Sequence, residues 1–193
     1  MNKDFKENFK LLMDLSAPDE QEQKKYGKRP VLEGYPDTGS LLGVDFDTIR
    51  EIWYPSQTDK NVPCSVDALI FRNGRIYLVE FKSGKLTHLE RKIYDSIMML
   101  IEHDNQDFKT LRKTAIYIVV APKFDDSKNC EKAILRSTYY GSEVPANKPW
   151  ENPYFAKMRD KCNLRSLEGV IVAKTHCFPP SMFDEFVKAE GWC

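Results

Sequence analysis

The chain has 193 residues, enough for one domain with a substantial core. Its 29 Lys and Arg residues balance its 29 Asp and Glu residues, so no global field attracts a nucleic acid or a membrane surface. No stretch is long and apolar enough to span a bilayer, and the N-terminus MNKDFKENFK lacks the apolar core of a secretory signal. We therefore expect a cytoplasmic protein without a membrane partner.

The predicted elements describe one α/β domain that spans residues 1–193. In chain order they are a helix at 3–15, a strand at about 48–54, a hairpin at 63–85, a helix at about 86–103, a strand at 114–121, a strand at 169–174 and a helix at 180–189. Residues 16–40 are rich in Pro and Gly and predict a long loop. Residues 122–167 are irregular, with candidate helices near 130–137 and 154–162.

The five cysteines and three histidines do not form a metal-binding pattern. No CxxC pair occurs, and the adjacent His176 and Cys177 lack further ligands at zinc-site spacing. The sequence also lacks GxSxG, HExxH and a phosphate-binding Gly-rich loop. We therefore expect the cysteines to be reduced thiols with a structural role or a surface position.

The hairpin at 63–85 carries the main functional signal. Asn73-Gly74 predicts a two-residue type I′ turn, because both central residues of that turn need positive φ. With this turn the pairing register places Asp67 directly opposite Glu80, and Lys82 projects from the same face. The three charged side chains then cluster at the end of the hairpin that lies away from the turn.

Both faces of this hairpin are otherwise apolar, which predicts a position in the interior of the sheet. The apolar residues are Leu69, Phe71, Ile76 and Leu78 on the face of the charges, and Val66, Ala68, Ile70, Tyr77, Val79 and Phe81 on the other. Two opposed carboxylates in such a place repel each other and lose hydration unless a positive charge lies between them. A divalent cation with oxygen ligands would meet this need better than Lys82 alone. The alternative is a frayed sheet edge where one carboxylate forms a salt bridge with Lys82.

Asp67 followed by Glu80-Phe81-Lys82 on the next strand resembles the motif of the PD-(D/E)XK nuclease superfamily. The similarity covers about residues 44–121, and Val66 stands where the motif name has proline. The resemblance implies a restriction-endonuclease-like fold: a mixed β-sheet flanked by helices, with an α-β-β-β-α-β core that includes the N-terminal helix. Residues 122–193 would then add an insertion, an extra strand and a C-terminal helix.

The resemblance also implies roles for the clustered residues. Asp67 and Glu80 would bind Mg²⁺ or Mn²⁺, helped by the backbone carbonyl of Phe81. Lys82 would position or activate the attacking water. The implied function is a metal-dependent nuclease, with DNA a better substrate candidate than RNA, and a homodimer is a candidate assembly because many relatives pair to cut two strands.

Other acidic and aromatic residues are candidates for the same site. RecB-type exonucleases of the superfamily carry Gln-x-x-x-Tyr on the helix after the motif, and Glu90 and Tyr94 are similar in spacing. Glu90 falls within the apolar stripe of its helix, although it could instead favour the helix dipole and reach water. The family also uses an acidic residue from its first helix, for which Glu7 is the candidate, with Glu33 and Glu51 as alternatives.

A basic and aromatic segment at residues 148–165 is a candidate nucleic-acid contact. Lys157, Arg159 and Lys161 alternate there with aromatic residues that could stack on bases. The alternative is an ordinary helix with one basic side in water and one packed aromatic side. For the whole chain, the alternative to a nuclease is a non-catalytic nucleic-acid-binding or assembly module that retains the fold, or a purely structural protein.

Overall fold

The computed structural model describes residues 2–18, 23–24, 28–55, 62–124, 148–151 and 153–192. These residues form a mixed α/β structure with one six-stranded sheet and eight helices. The strands are β1 (Phe9–Leu11), β2 (Leu42–Asp45), β3 (Ala68–Arg72), β4 (Arg75–Phe81), β5 (Ala115–Val120) and β6 (Lys174–Phe178). The helices are α1 (Lys3–Glu7), α2 (Leu12–Leu15), α3 (Pro36–Gly39), α4 (Phe46–Trp53), α5 (Leu89–His103), α6 (Phe108–Thr114), α7 (Pro153–Lys161) and α8 (Pro180–Ala189).

The sheet is mixed, as expected, and its strands lie in the order in which they occur in the chain. Strands β1 to β4 pair antiparallel with their neighbours, and β5 and β6 then add in parallel. A parallel neighbour requires a crossover connection, which α5 and α6 provide between β4 and β5. The charged end of β4 is therefore its C-terminal end, from which the chain continues to α5.

Both faces of the sheet are covered by apolar packing, as predicted for the hairpin. One face packs Leu69, Leu78 and Tyr117 against Ile93 and Ile97 of α5. The other face forms a second cluster in which strand residues pack against α8; its members include Tyr77, Val79, Ile118, Phe183 and Phe186. Residues that share the first face with Leu78, Glu80 among them, are therefore turned toward α5.

The predicted turn and register are confirmed. Asn73 and Gly74 have φ values of 50° and 71°, as a type I′ turn requires. Arg72 pairs with Arg75, and each further step is kept as far as Ala68 and Val79. One more step along the same register brings Asp67 opposite Glu80.

The predicted strand at 48–54 is wrong, because this segment is part of α4 (Phe46–Trp53). The Asp45 carboxylate accepts a hydrogen bond from the Thr48 backbone N–H and so caps the helix. Phe46 and Ile49 are buried on one side of it, which is the spacing of a helix and not of a strand.

The predicted N-terminal helix at 3–15 and the predicted strand at 169–174 are also wrong in part. The first segment divides into α1, the edge strand β1 and α2, because residues 9–11 pair with β2. In the second, the Gly169 N–H bonds to the Val172 carbonyl and closes a turn, so the strand begins only at Lys174.

The other predicted elements agree closely with the structure. The predicted strand at 114–121 is β5, which is buried along its whole length, and the predicted last helix is α8. Helices α5 and α7 match the predictions at 86–103 and 154–162, whereas the candidate helix at 130–137 lies outside the described residues. Helix α6 was not predicted. Within the described part of the chain, no helix is long and apolar enough to cross a membrane.

Candidate active-site cleft

The three charged residues of the predicted motif line one cleft of about 730 Å³ at the end of the hairpin that lies away from the turn. Asp67 directly precedes β3, Glu80 lies within β4, and Lys82 directly follows β4. Residues 15–18 form part of another wall of the cleft, and Lys28 and Lys85 also line it. The structure thus brings together Asp67, Glu80, Phe81 and Lys82, which the sequence places in one site.

A backbone hydrogen bond fixes one of the two carboxylates in place. Oδ2 of Asp67 accepts a hydrogen bond of 2.6 Å from the backbone N–H of Phe81, which ties the start of β3 to the end of β4. The Glu80 side chain is fully buried, whereas the Asp67 side chain remains 18% exposed to the cleft. The pair therefore combines one carboxylate without direct access to water and one at the cleft surface.

Two lysine side chains neutralise this pair. Nζ of Lys82 lies 2.7 Å from Oε1 of Glu80. Nζ of Lys92, from α5, lies 3.2 Å from Oδ1 of Asp67 and within 2.8 Å of both oxygens of Glu80. Each lysine side chain is about one-fifth exposed. Lys92 is thus the cation that lies between the two carboxylates.

Lys92 was missed in the sequence, although a signal for it exists. It lies three residues after Leu89 and four before Ser96, and both of these are buried on the sheet side of α5. Residues three and four apart share a helix face, so Lys92 is carried toward the sheet.

Glu90 and Tyr94 do not line the cleft in the described part of the chain. The Glu90 carboxylate accepts a hydrogen bond from the side-chain amide of Asn163, beyond the end of α7. Tyr94 is 43% exposed. The hypothesis of a RecB-type pair on this helix therefore has no support from the position of either side chain.

Glu7, the candidate upstream acidic residue, does not reach the site either. Its carboxylate is 62% exposed and pairs with Lys3 on the same helix. Glu33 and Glu51 pair with neighbouring arginines at the surface.

Asp47 lies at the cleft instead, in the first turn of α4. It accepts a hydrogen bond from the Ser65 hydroxyl and lies 3.2 Å from Nη1 of Arg50. Asp47 is not among the site residues predicted from the sequence, because a strand was predicted at about 48–54, where α4 lies. Helix periodicity was the signal that could have shown its position.

The ionisation of the cluster reflects burial and like charge. Burial and then the nearby charge of Glu80 raise the pKa of Asp67 to about 7, against the opposing effects of Lys92 and the Phe81 N–H. For Lys92, burial disfavours the ammonium, but the charges of Asp67 and Glu80 outweigh it and raise the pKa above its usual value. The site therefore stabilises a cation between its carboxylates.

The donor atoms fit Mg²⁺ or Mn²⁺. Carboxylate and carbonyl oxygens are the ligands these ions take, and Mg²⁺ is commonly held by one or two carboxylates together with substrate phosphates. Oε1 of Glu80 is buried and, within the described chain, accepts no hydrogen bond of regular geometry, although both ammonium groups lie close to it. Among the described residues, no group of three or more His, Cys, Asp or Glu residues is placed to hold a metal, so an ion at this site would have to rely on the two carboxylates of Asp67 and Glu80 together with backbone or substrate oxygens.

The basic segment near α7 matches the structural alternative. Its aromatic residues Trp150, Tyr154 and Phe155 are all buried and cannot stack on bases. Arg159 forms an ion pair of 2.8 Å with Glu168 and also bonds to the Thr175 carbonyl. Lys157 and Lys161 are exposed, as expected for the basic side of an ordinary helix.

Comparison with known proteins identifies no relative of this chain. No protein-family model, curated protein or solved structure matches the chain.

Proposed function

We propose that the protein is a metal-dependent nuclease of the PD-(D/E)XK type that hydrolyses phosphodiester bonds, with DNA a better substrate candidate than RNA. The observation that carries the proposal is the cluster of Asp67, Glu80 and Lys82 at an open cleft on adjacent strands. The order of the central elements also supports it: β2, β3 and β4 pair antiparallel in turn, with α4 between β2 and β3, and β5 returns parallel to β4 after α5 and α6.

Each residue of the cluster has a role in this proposal. Asp67, Glu80 and the Phe81 carbonyl would hold Mg²⁺ or Mn²⁺ in the cleft. Such an ion, when bound, polarises a phosphodiester and makes a water molecule more acidic. Lys82, held by Glu80 at 2.7 Å, orients the attacking water and offsets the negative charge that develops on the phosphorus oxygens.

A non-catalytic nucleic-acid-binding module is the second candidate. The observation that favours it is the position of Lys92, whose ammonium already neutralises the carboxylate pair without any metal. In such a module the cluster would serve only to join α5 to the hairpin. The two candidates differ in whether a divalent cation binds and whether a phosphodiester is cleaved.

A cleavage assay tests the proposal. End-labelled single-stranded DNA, duplex DNA and RNA are incubated with purified protein in Mg²⁺, in Mn²⁺ and in EDTA. We expect cleavage that needs the divalent ion and is faster on DNA. The double variant Asp67→Asn/Glu80→Gln, prepared in the same way, controls for contaminating nucleases and should be inactive. Equal activity of the variant and wild type, or no cleavage by wild type in either metal, would contradict the nuclease function.

A further inference from the structure

The position of Lys92 carries an inference that rests on the proposed function and extends it. Its ammonium reaches three carboxylate oxygens: Oδ1 of Asp67 at 3.2 Å, and Oε2 and Oε1 of Glu80 at 2.8 and 2.7 Å. One cation surrounded by oxygens of two different carboxylates is the arrangement that a metal ion would require of the same atoms. Lys92 therefore lies where the metal charge is needed.

The count of charges shows what Lys92 does. Asp67 and Glu80 carry two negative charges when ionised, and Lys82 contacts only one of them, through Oε1 of Glu80. Without Lys92, Asp67 would lie opposite Glu80 with the Phe81 N–H as its one hydrogen-bond donor among the described residues. Two close carboxylates without an intervening cation destabilise a fold, so Lys92 stabilises the metal-free protein.

Lys92 is attached in a way that allows it to move. It belongs to α5 and not to the strands that carry the carboxylates, and its side chain is 19% exposed at the cleft. A lysine ammonium is a point charge on a flexible four-carbon stem, unlike the rigid fork of arginine. The cleft of about 730 Å³ offers the side chain space to leave the carboxylates without a change in the backbone.

We propose that Lys92 is an internal counter-ion that occupies the carboxylate pair in the metal-free protein and that a divalent cation must displace. A Mg²⁺ or Mn²⁺ ion carries twice the charge and approaches oxygen to about 2.1 Å, so it can replace the ammonium. Because only the fraction of molecules with Lys92 displaced can bind metal, the apparent metal affinity is reduced by that fraction. The device stabilises the metal-free fold and weakens its affinity for metal.

This inference predicts two effects of opposite sign in one variant. Lys92→Met removes the ammonium but retains an unbranched side chain of similar length. We expect Lys92→Met to melt several degrees below wild type in EDTA and to bind Mn²⁺ at least about tenfold more tightly. A residue with a merely structural role would lower the melting temperature without improving metal binding.

The matched control is Arg91→Met. It removes one positive charge from the same turn of α5, but Arg91 pairs with Asp95 at 3.3 Å and bonds to the Val62 carbonyl. We expect its Mn²⁺ affinity to remain within about twofold of wild type, since exposed charges are screened. Lys92→Arg, which keeps the charge, should bind Mn²⁺ no more tightly than wild type.

The experiment is calorimetric titration of each metal-free protein with MnCl₂, together with thermal melts in EDTA. If wild type binds Mn²⁺ and Lys92→Met binds it equally or less tightly, the counter-ion inference is wrong while the proposed function stands. If neither wild type nor any variant binds Mn²⁺, both the inference and the proposed function fail. Binding by Lys92→Met alone supports the counter-ion and favours the non-catalytic candidate. Should Lys92→Met not fold, Lys92→Gln repeats the titration with the same expected gain.

Discussion

The two ends of the β3–β4 hairpin each oppose residues of like charge, and the structure treats them differently. At the turn, Arg72 pairs with Arg75, and both side chains are exposed. At the other end, Asp67 lies opposite Glu80, whose side chain is fully buried, and the ammonium groups of Lys82 and Lys92 lie against this pair. The same strand pairing thus carries one like-charge pair that is exposed to solvent and one that lies against two counter-ions.

The difference between the two ends is a matter of solvent. Water and salt screen two exposed guanidinium groups, so their repulsion amounts to a few tenths of a kcal/mol. Burial removes that screening, and each unpaired charge then has an effective penalty of several kcal/mol. A buried like-charge pair with its own cations is therefore an arrangement that needs a functional explanation, whereas the exposed pair needs none.

The largest expected effect concerns the cation that we assign to catalysis. Lys82→Ala should reduce the turnover of DNA by about 10²–10⁴-fold, because it removes the group that orients the attacking water. The control is Lys85→Ala, which removes an exposed lysine of the same cleft and should keep most of the turnover. Initial rates in Mg²⁺, with circular dichroism to verify folding, measure the effect. Turnover of Lys82→Ala at the wild-type level would show that the lysine is only a counter-ion.

The next effect is on metal-linked stability. A metal that binds only the folded state at 100 times its Kd adds about 2.7 kcal/mol, which corresponds to a rise of roughly 5–10 °C in Tm for a chain of this size. Asp67→Asn should lose most of this rise. In EDTA at pH 8 the variant should melt at or above the wild-type temperature, because the raised pKa of Asp67 means that its ionised carboxylate is held in the fold at a cost even beside Lys92.

Thermal melts of both proteins in EDTA and in excess Mn²⁺ measure this linkage. If the wild-type Tm does not rise in Mn²⁺, the prediction that this site binds a metal is wrong. A much lower Tm of Asp67→Asn in EDTA would show that Asp67 stabilises the fold and is not held there at a cost.

A smaller effect should come from His176 on β6, a buried polar group that forms no ion pair among the described residues. Burial, and then the charges of Lys174 on its own strand and Arg159 of α7, lower the pKa of His176 well below its usual value. Its ring stacks on Phe178 at 4.8 Å and lies 5.6 Å from Phe186, so it remains neutral in the fold. Neutrality is thus the alternative to counter-ions for a buried titratable group.

The sign of the pH dependence follows from that lowered pKa. The unfolded chain protonates His176 near pH 6.5 and the folded chain does not, so stability is present above that pH and is lost as the pH falls, by up to about 1.4 kcal/mol per pH unit. Urea unfolding of wild type and His176→Gln at pH 7, 6 and 5 measures the difference. We expect the stability of the variant to depend less on pH, and equal slopes for the two proteins would contradict a neutral buried imidazole.

The smallest effect should come from the exposed end of the hairpin. Arg75→Gln removes one of two opposed guanidinium groups, and we expect the free energy of unfolding to change by no more than about 0.5 kcal/mol. Chemical denaturation with a fitted m-value measures it. A loss of more than about 2 kcal/mol would mean that the exposed pair is as dependent on its partners as the buried pair, and the contrast between the two ends would no longer hold.

Local chemistry accounts for what the sequence alone determined. The Asn73-Gly74 turn sets the register of the hairpin, and that register sets Asp67 opposite Glu80 without reference to any other part of the chain. The unbroken β-branched run of β5 and the Pro-initiated α8 are equally local signals. Where the signal was ambiguous, in the short apolar patterns at 48–54 and 169–174, the first predicted strand was wrong and the second was wrong in part.

Tertiary structure alone decided which charges complete the cluster. Lys92 reaches the carboxylates because α5 packs its apolar stripe on the face of the sheet that also carries Glu80. Asp47 reaches the cleft because the cap at Asp45 starts α4 directly after β2, next to the approach to β3. Helix packing joins residues that are distant in sequence through the burial of apolar side chains, and the polar residues carried with them leave no periodic signal of their own.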